Sequence, residues 1–349
     1  MAFTQIVGIG ICLEIMAAVI GTFSKQLIAF GEQRKVRAVS ALGIAFNTVL
    51  GPITDASAYA FAPQTIIAPF AGLDVLFNAF TAPCTLRFQR EMLTWRHILA
   101  AVMVAGGASS SAVLAARVEE NETQTCDEFV DMLCQTRSIV YLSIELLLVL
   151  VTISSLWTGR ISGTARGLAL GGIAGLLMGN VFFVKGFVGF VKLAIKGDGN
   201  CFSQLTPYAT LSAAAGGSIL GTCFMQQGLR DYKGVYMVTL FEGAHISAAC
   251  LSGDVVMWEM AHVQWPTWIG YWASILVIIG GILLINTTAK QSVQSDPEQI
   301  PHLSPIRSWG RMTGSDILDI VESSSGTSHF QKSLMETSSL HTKTVSMSG

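Results

Sequence analysis

The chain has 349 residues, of which 21 are basic, 23 acidic and 51% apolar. Soluble domains carry about twice this share of charge, so a water-soluble globular fold is excluded and a polytopic membrane protein accommodates the apolar surface. The net charge of −2 argues against nucleic-acid binding. Eleven of the charges fall after Thr288, which divides the chain into an apolar body and a polar tail.

Taken in chain order, apolar runs of about 20 residues, the length that crosses the hydrocarbon core, predict an all-α fold. Nine transmembrane helices are expected over residues 5–29, 40–62, 64–86, 96–116, 138–157, 166–191, 204–227, 234–257 and 265–288. Most links are short, so successive helices should be antiparallel neighbours. The second and third meet at Ala62-Pro63, where the proline lacks a donor and restricts the residue before it. The opening Met-Ala-Phe-Thr-Gln has no basic segment, so the first helix reads as a permanent span rather than a cleaved signal.

Arg34, Lys35 and Arg37, then Arg87, Arg90 and Arg96, then Arg160 and Arg166, then Arg230, Lys233 and the tail fall on one side. Arg117, Arg137, Lys192 and Lys196 fall on the other. Excess basic residues mark the cytoplasmic side, which predicts an N-terminus outside and a cytoplasmic tail, in the plasma membrane or an endomembrane. The sequon at Asn121 would then face the lumen as a glycosylation site, and the one at Asn286 the cytosol. Cys12, Cys84, Cys223 and Cys250 fall in spans and should behave as small apolar residues. Cys126 and Cys134 share the outer loop, where a disulfide between them competes with Cys201 as an alternative partner. No cysteine spacing suits a thiolate zinc site.

A faint internal repeat runs through the body. Phe70-Ala71-Gly72-Leu73-Asp74 lines up with Phe241-Glu242-Gly243-Ala244-His245, Ser24-Lys25 with Val184-Lys185, and Gly106-Gly107 with Gly280-Gly281. Helices one to four then map onto six to nine with the fifth as connector, a 4+1+4 plan of inverted repeats; chance matching of apolar sequence is the alternative. Inverted repeats are a common plan of secondary transporters that alternate access to a site near the midplane.

Ionisable groups at membrane depth are the candidate functional residues. Each carboxylate at a helix centre costs about 2.5–3.5 kcal/mol on insertion scales, so Glu14, Asp55, Asp74 and Glu242 should face a wet cavity or a partner. Helical spacing agrees: Asp74, Asn78 and Thr81 form one polar stripe, Gly10, Glu14, Ala17, Gly21 and Ser24 another, and Asn47, Gly51, Asp55 and Ala58 a third. Gly171, Gly175 and Gly179 are spaced for close backbone approach. The predicted transport site comprises Asp74, Glu242, Glu14, Asp55, His245 and Asn78, with Lys185 and Lys25 as charge partners, Lys25 being able to snorkel to the cytoplasmic face. Its excess of carboxylate attracts a cation, and oxygen ligands without a cysteine or histidine cluster suit magnesium as the transported ion. Internal salt bridging, for instance Asp74 with Lys185, is the competing explanation. Glu145, Asp254 and Glu259 read as interfacial.

The run Asp55-Ala56-Ser57-Ala58-Tyr59-Ala60-Phe61-Ala62-Pro63, followed by Thr65-Ile66-Ile67-Ala68-Pro69, closely resembles the second and third helices of the NIPA-type magnesium transporters, within the drug/metabolite transporter superfamily. Lys25, Glu91, Lys185 and Glu259 also match, and the resemblance covers most of residues 5–288. It departs from the family pattern at Asp55 (usually Asn), Asp74 (usually Ser), Pro52 (usually acidic) and Glu242 and His245 (usually aromatic). The resemblance implies magnesium transport.

The tail, residues 291–349, is rich in Ser and Thr and cannot bury a core, so disorder is expected. Residues 315–321 could form one or two helical turns there. No enzymatic constellation, resident cofactor or Walker-type cradle is visible, so ion gradients or membrane potential would drive motion. The expected function is divalent cation transport by alternating access, with the bilayer and the cation as partners. A transporter of an organic solute such as a nucleotide sugar, with the acids coupling protons, and a non-transporting scaffold remain as alternatives. Self-association and tail-binding proteins stay open.

Overall fold

The computed structural model describes residues 2–34, 36–85, 95–116, 125–197, 199–232 and 234–294. Glu91, Asn121 and the tail from residue 295 lie outside the described residues. So do Lys35, Arg87, Arg90, Arg117 and Lys233. Every regular element among the described residues is helical. Among the described residues, six segments are long and apolar enough to cross a membrane: Val7–Gly31, Arg37–Tyr59, Ile98–Ala115, Thr136–Trp157, Gly163–Ile195 and Trp265–Leu284. The stretches predicted as seventh and eighth spans are helical but less apolar, because they carry a Ser, Thr and Gly-rich run and Glu242 with His245, and the third is interrupted by a 3-10 turn at Ala68–Ala71.

Helix α1 runs over Ala2–Arg34, five residues beyond its expected end. Helix α2 (Arg37–Ala45) passes through a π turn at Phe46–Leu50 into α3 (Gly51–Tyr59). Pro52 has no N–H to give the preceding turn, and the helix widens just before it. Pro63 caps α4 (Gln64–Ile67), which tightens into a 3-10 turn at Ala68–Ala71 around Pro69 and resumes as α5 (Gly72–Thr85). Helix α6 covers Trp95–Ala115.

A short helix, α7 (Cys126–Cys134), precedes α8 (Thr136–Trp157). Thr125 and Glu128 form a capping box at its start, with Glu128 N–H to Thr125 Oγ1 at 3.3 Å and Thr125 N–H to Glu128 Oε2 at 2.9 Å. The expected sixth span is broken into α9 (Gly163–Met178) and α10 (Val181–Ile195). At the break the Asn180 amide donates to the Leu176 carbonyl at 3.4 Å, replacing a lost backbone partner, and to Glu145 Oε1 at 2.6 Å. Helices α11 (Thr206–Asp231), α12 (Gly234–Val255) and α13 (Trp265–Gln294) complete the bundle.

Small residues let the helices close on one another. On α9, a Cβ at Gly175 would lie 2.3 Å from the Phe241 carbonyl, and one at Gly179 would lie 2.6 Å from Ala248 Cβ, so the glycine ridge seats α12 backbone to backbone. Helix α6 packs along α13 in the same manner: Gly107 meets the Ser274 carbonyl and Ile278, and Gly281 meets the Ala100 carbonyl and Met103. Helix α1 packs against α2, α3 and α5, as α9 packs against α11 and α12, while α5 and α12 touch at the centre. Exposed apolar side chains such as Ile144, Leu147, Leu150 and Val151 cover α8, where hydrocarbon would contact it. Exposed Trp95, Trp157, Trp265 and Tyr208 sit at helix ends, as interfacial aromatics do.

The disulfide pairs Cys126 with Cys201, and Cys134 is free and exposed, which corrects the Cys126–Cys134 pairing expected from the shared loop. Both ends of the expected bond fall on α7; eight residues at 1.5 Å rise place them about 12 Å apart, beyond any disulfide span. The bond pins α7 to the 3-10 turn at Gly199–Ser203, over a small core in which Phe129 meets Phe190 edge-on at 5.3 Å. Peptide mapping without reduction should recover a Cys126–Cys201 linked pair, with Cys134 open to maleimide. A Cys126–Cys134 peptide would contradict this packing.

Candidate functional site

The site grows from one face of α1. Glu14, Gly21 and Lys25 recur at seven and four residues, so all three point the same way, toward α5 and α12. At Gly21 a Cβ would lie 3.0 Å from Asp74 Oδ2, so the missing side chain makes room for that carboxylate. Asp74 stands in the first turn of α5, Glu242 and His245 one turn apart on α12, and Asp55 on α3.

Lys25 is the hub. Its ammonium, 5% exposed, donates to Asp74 Oδ2 and to Glu242 Oε1, bridging α1 to both central helices. The Phe241 ring closes another side, its centroid 4.6 Å from the nitrogen. The Thr22 hydroxyl donates to Asp74 Oδ1 and lies 3.1 Å from the Asp74 carbonyl. His245 Nδ1 stands 3.5 Å from Glu242 Oε2. Glu14 feels the charges of Asp55, Glu242 and Asp74, and its Oε2 is buried with no hydrogen-bond partner. Lys25 therefore offsets one negative charge of a pair, and further acids surround it. Such a buried surplus favours an added cation.

Below Asp74, the Gln26 amide donates to Asn78 Oδ1 at 3.1 Å and to Thr81 Oγ1 at 2.6 Å. Asn47 of the π turn donates to Thr222 of α11 at 3.0 Å. A separate node closes the Pro63 corner. Glu259 accepts from the N–H groups of Gln64 (3.1 Å) and Thr65 (2.8 Å) and pairs with Lys185 of α10. Neighbouring Trp258 holds a positive φ of 55°, with the Arg137 guanidinium stacked 3.8 Å from its ring, and this bend presents Glu259.

The structure thus joins Asp74 and Glu242 through Lys25, sets Glu14, Asp55 and His245 around them, and places Asn78 one turn further along α5. Two expectations about the lysines are corrected. Lys25 does not snorkel to the surface, because α1 continues to Arg34 and leaves it about 13 Å from the helix end. Lys185 pairs with Glu259, and the internal salt bridging of Asp74 that was the competing explanation is made by Lys25 instead. Glu259 and Glu145, read as interfacial, are buried and hydrogen-bonded, whereas Asp254 accepts from Trp268 (3.0 Å) and Trp272 (3.1 Å). The eleven-residue interval from Glu14 to Lys25, three helical turns, was the available signal for the hub.

Among the described residues no three His, Cys, Asp or Glu side chains form a ready-made metal chelate. The carboxylates are spread around Lys25, an arrangement that suits an ion which keeps much of its water. No curated protein and no solved structure registers as a match. The profile of the family described as magnesium transporter NIPA matches residues 34–291, and the chain belongs to that family of membrane transporters as an integral, multi-pass protein.

Proposed function

We propose that this protein carries magnesium across a membrane by alternating access, with the Asp74–Glu242 pair as the ion's central site. The observation that carries this reading is the buried carboxylate surplus around Lys25. Two carboxylates are what magnesium requires when it keeps several waters, and Glu14 and Asp55 supply further carboxyl oxygens nearby. His245 modulates that charge beside Glu242.

Nine spans in inverted 4+1+4 repeats supply the moving parts. In support, α1 meets α2, α3 and α5 as α9 meets α11 and α12, and the second glycine of each repeated pair, Gly107 and Gly281, lies at the α6–α13 contact. The N-terminus faces outside and the tail the cytosol; the Cys126–Cys201 bond supports this, since both loops then occupy the oxidising side. Ion gradients or membrane potential drive the cycle.

Purified protein in liposomes loaded with a magnesium-sensitive dye tests the proposal. Uptake above that of protein-free vesicles, with saturation, is the expected result. Organic-solute exchange without metal flux would instead favour the alternative, for which the adjacency of Glu14 and Asp55 as a proton-carrying pair is the supporting observation. No flux of either kind would leave a scaffold.

A further inference from the structure

Resting on that reading, we propose that Lys25 is a tethered surrogate cation: its ammonium holds the Asp74–Glu242 pair when no ion is bound, and a dication must displace it. The exchange makes the site selective for divalent over monovalent cations.

The geometry is that of a bound, largely dehydrated monovalent ion. Two of the three ammonium protons meet carboxylates from different helices, and an aromatic face lies alongside. Asp74 on α5 and Glu242 on α12 face it directly, and Glu14 on α1, Asp55 on α3 and His245 on α12 stand around those two acids. Because Lys25 is covalently attached to α1, its local concentration exceeds that of any free ion. Sodium or potassium brings the same single charge without the tether, so replacing the ammonium yields no gain.

A dication brings twice the charge to the same two carboxylates. Withdrawal of the ammonium then frees the two oxygen ligands that magnesium needs, and the retained waters find an acceptor in Glu14 Oε2, which is buried without a partner. The same exchange links occupancy to helix position. The ammonium ties α1 to α5 and α12, and displacement releases that tie.

Wild-type protein in lipid bilayers gives the first test. Amine acylation of Lys25, read by mass spectrometry, should rise at least threefold when saturating magnesium is added, and should not rise in sodium chloride of equal ionic strength. Lys25→Gln raises the site's net negative charge by one, so its apparent magnesium affinity should tighten by about tenfold in low salt. Its uptake should become inhibited by sodium or potassium at concentrations that leave wild type unaffected. Lys25→Arg presents a planar guanidinium that grips carboxylates more firmly, and should weaken magnesium affinity by about tenfold. If Lys25→Gln does not fold, the wild-type acylation and the Lys25→Arg affinity decide. Unchanged Lys25 acylation, or wild-type ion dependence in the variants, overturns the inference. Wild-type vesicles that carry no magnesium overturn the transport reading, whereas magnesium flux with Lys25 unmoved overturns this inference alone.

Discussion

Asp74→Asn should reduce magnesium uptake by at least about a hundredfold, equivalent to about 2.7 kcal/mol of lost stabilisation along the transport cycle. Wild type sets one ammonium against two carboxylates; the amide leaves Lys25 and Glu242 as a neutral, closed pair with no surplus to attract a dication. Asparagine is close to isosteric, and Lys25 keeps Glu242, so the variant should still fold. Glu242→Gln removes the other member and should give a similar loss. Asp254→Asn is the control: that carboxylate only receives the Trp268 and Trp272 indole N–H groups, an amide oxygen can do the same, and uptake should stay near wild type. Initial rates at matched reconstitution, with monodispersity and thermal stability checked in parallel, decide the matter.

Glu259→Ala should produce the largest loss of stability. One side chain holds Lys185 and two backbone N–H groups at the start of α4, so truncation strands a cation and two donors together. Removing one partner of a buried pair typically costs about 3–5 kcal/mol. At about 2–4 °C per kcal/mol for a domain of 150–250 residues, the melting temperature in detergent should fall by several degrees at least. Glu259→Gln should fall less, since its amide oxygen still accepts a backbone donor. Adding Lys185→Met to Glu259→Ala should recover part of the loss, because no stranded charge remains. Equal destabilisation by the single and double variants would show that the ion pair contributes nothing.

The same contrast between local pattern and long-range geometry explains what is legible in the sequence alone. Apolar runs placed the helices because the bilayer sets their length, and the Gly171-Gly175-Gly179 spacing announced the backbone contact with α12. Asp74 and Glu242 stood out because burying a carboxylate in hydrocarbon is costly. Partner choice was not local. Lys25 joins residues 49 and 217 positions away, and its depth depended on where α1 ends, for which the basic sequence Arg34-Lys35-Val36-Arg37 gives no clear stop signal. Lys185 found Glu259 because a left-handed turn at Trp258 aims that acid at the Pro63 corner, and nothing in the residues around Trp258 announces the turn. The disulfide partner, by contrast, was within reach: Thr125 and Glu128 spell a capping box, and a helix over Cys126–Cys134 forbids those two cysteines from meeting.

The most direct test of the central claim is the position of the ion. Manganese is a hard, octahedral dication that marks oxygen sites for magnesium and scatters anomalously. Once it is shown to compete for magnesium uptake by this protein, the anomalous density of the manganese-bound form should lie between the Asp74 and Glu242 carboxylates, bound directly or through one water layer, with the Lys25 ammonium moved aside. Density elsewhere, with Lys25 still bridging Asp74 and Glu242, would contradict the account.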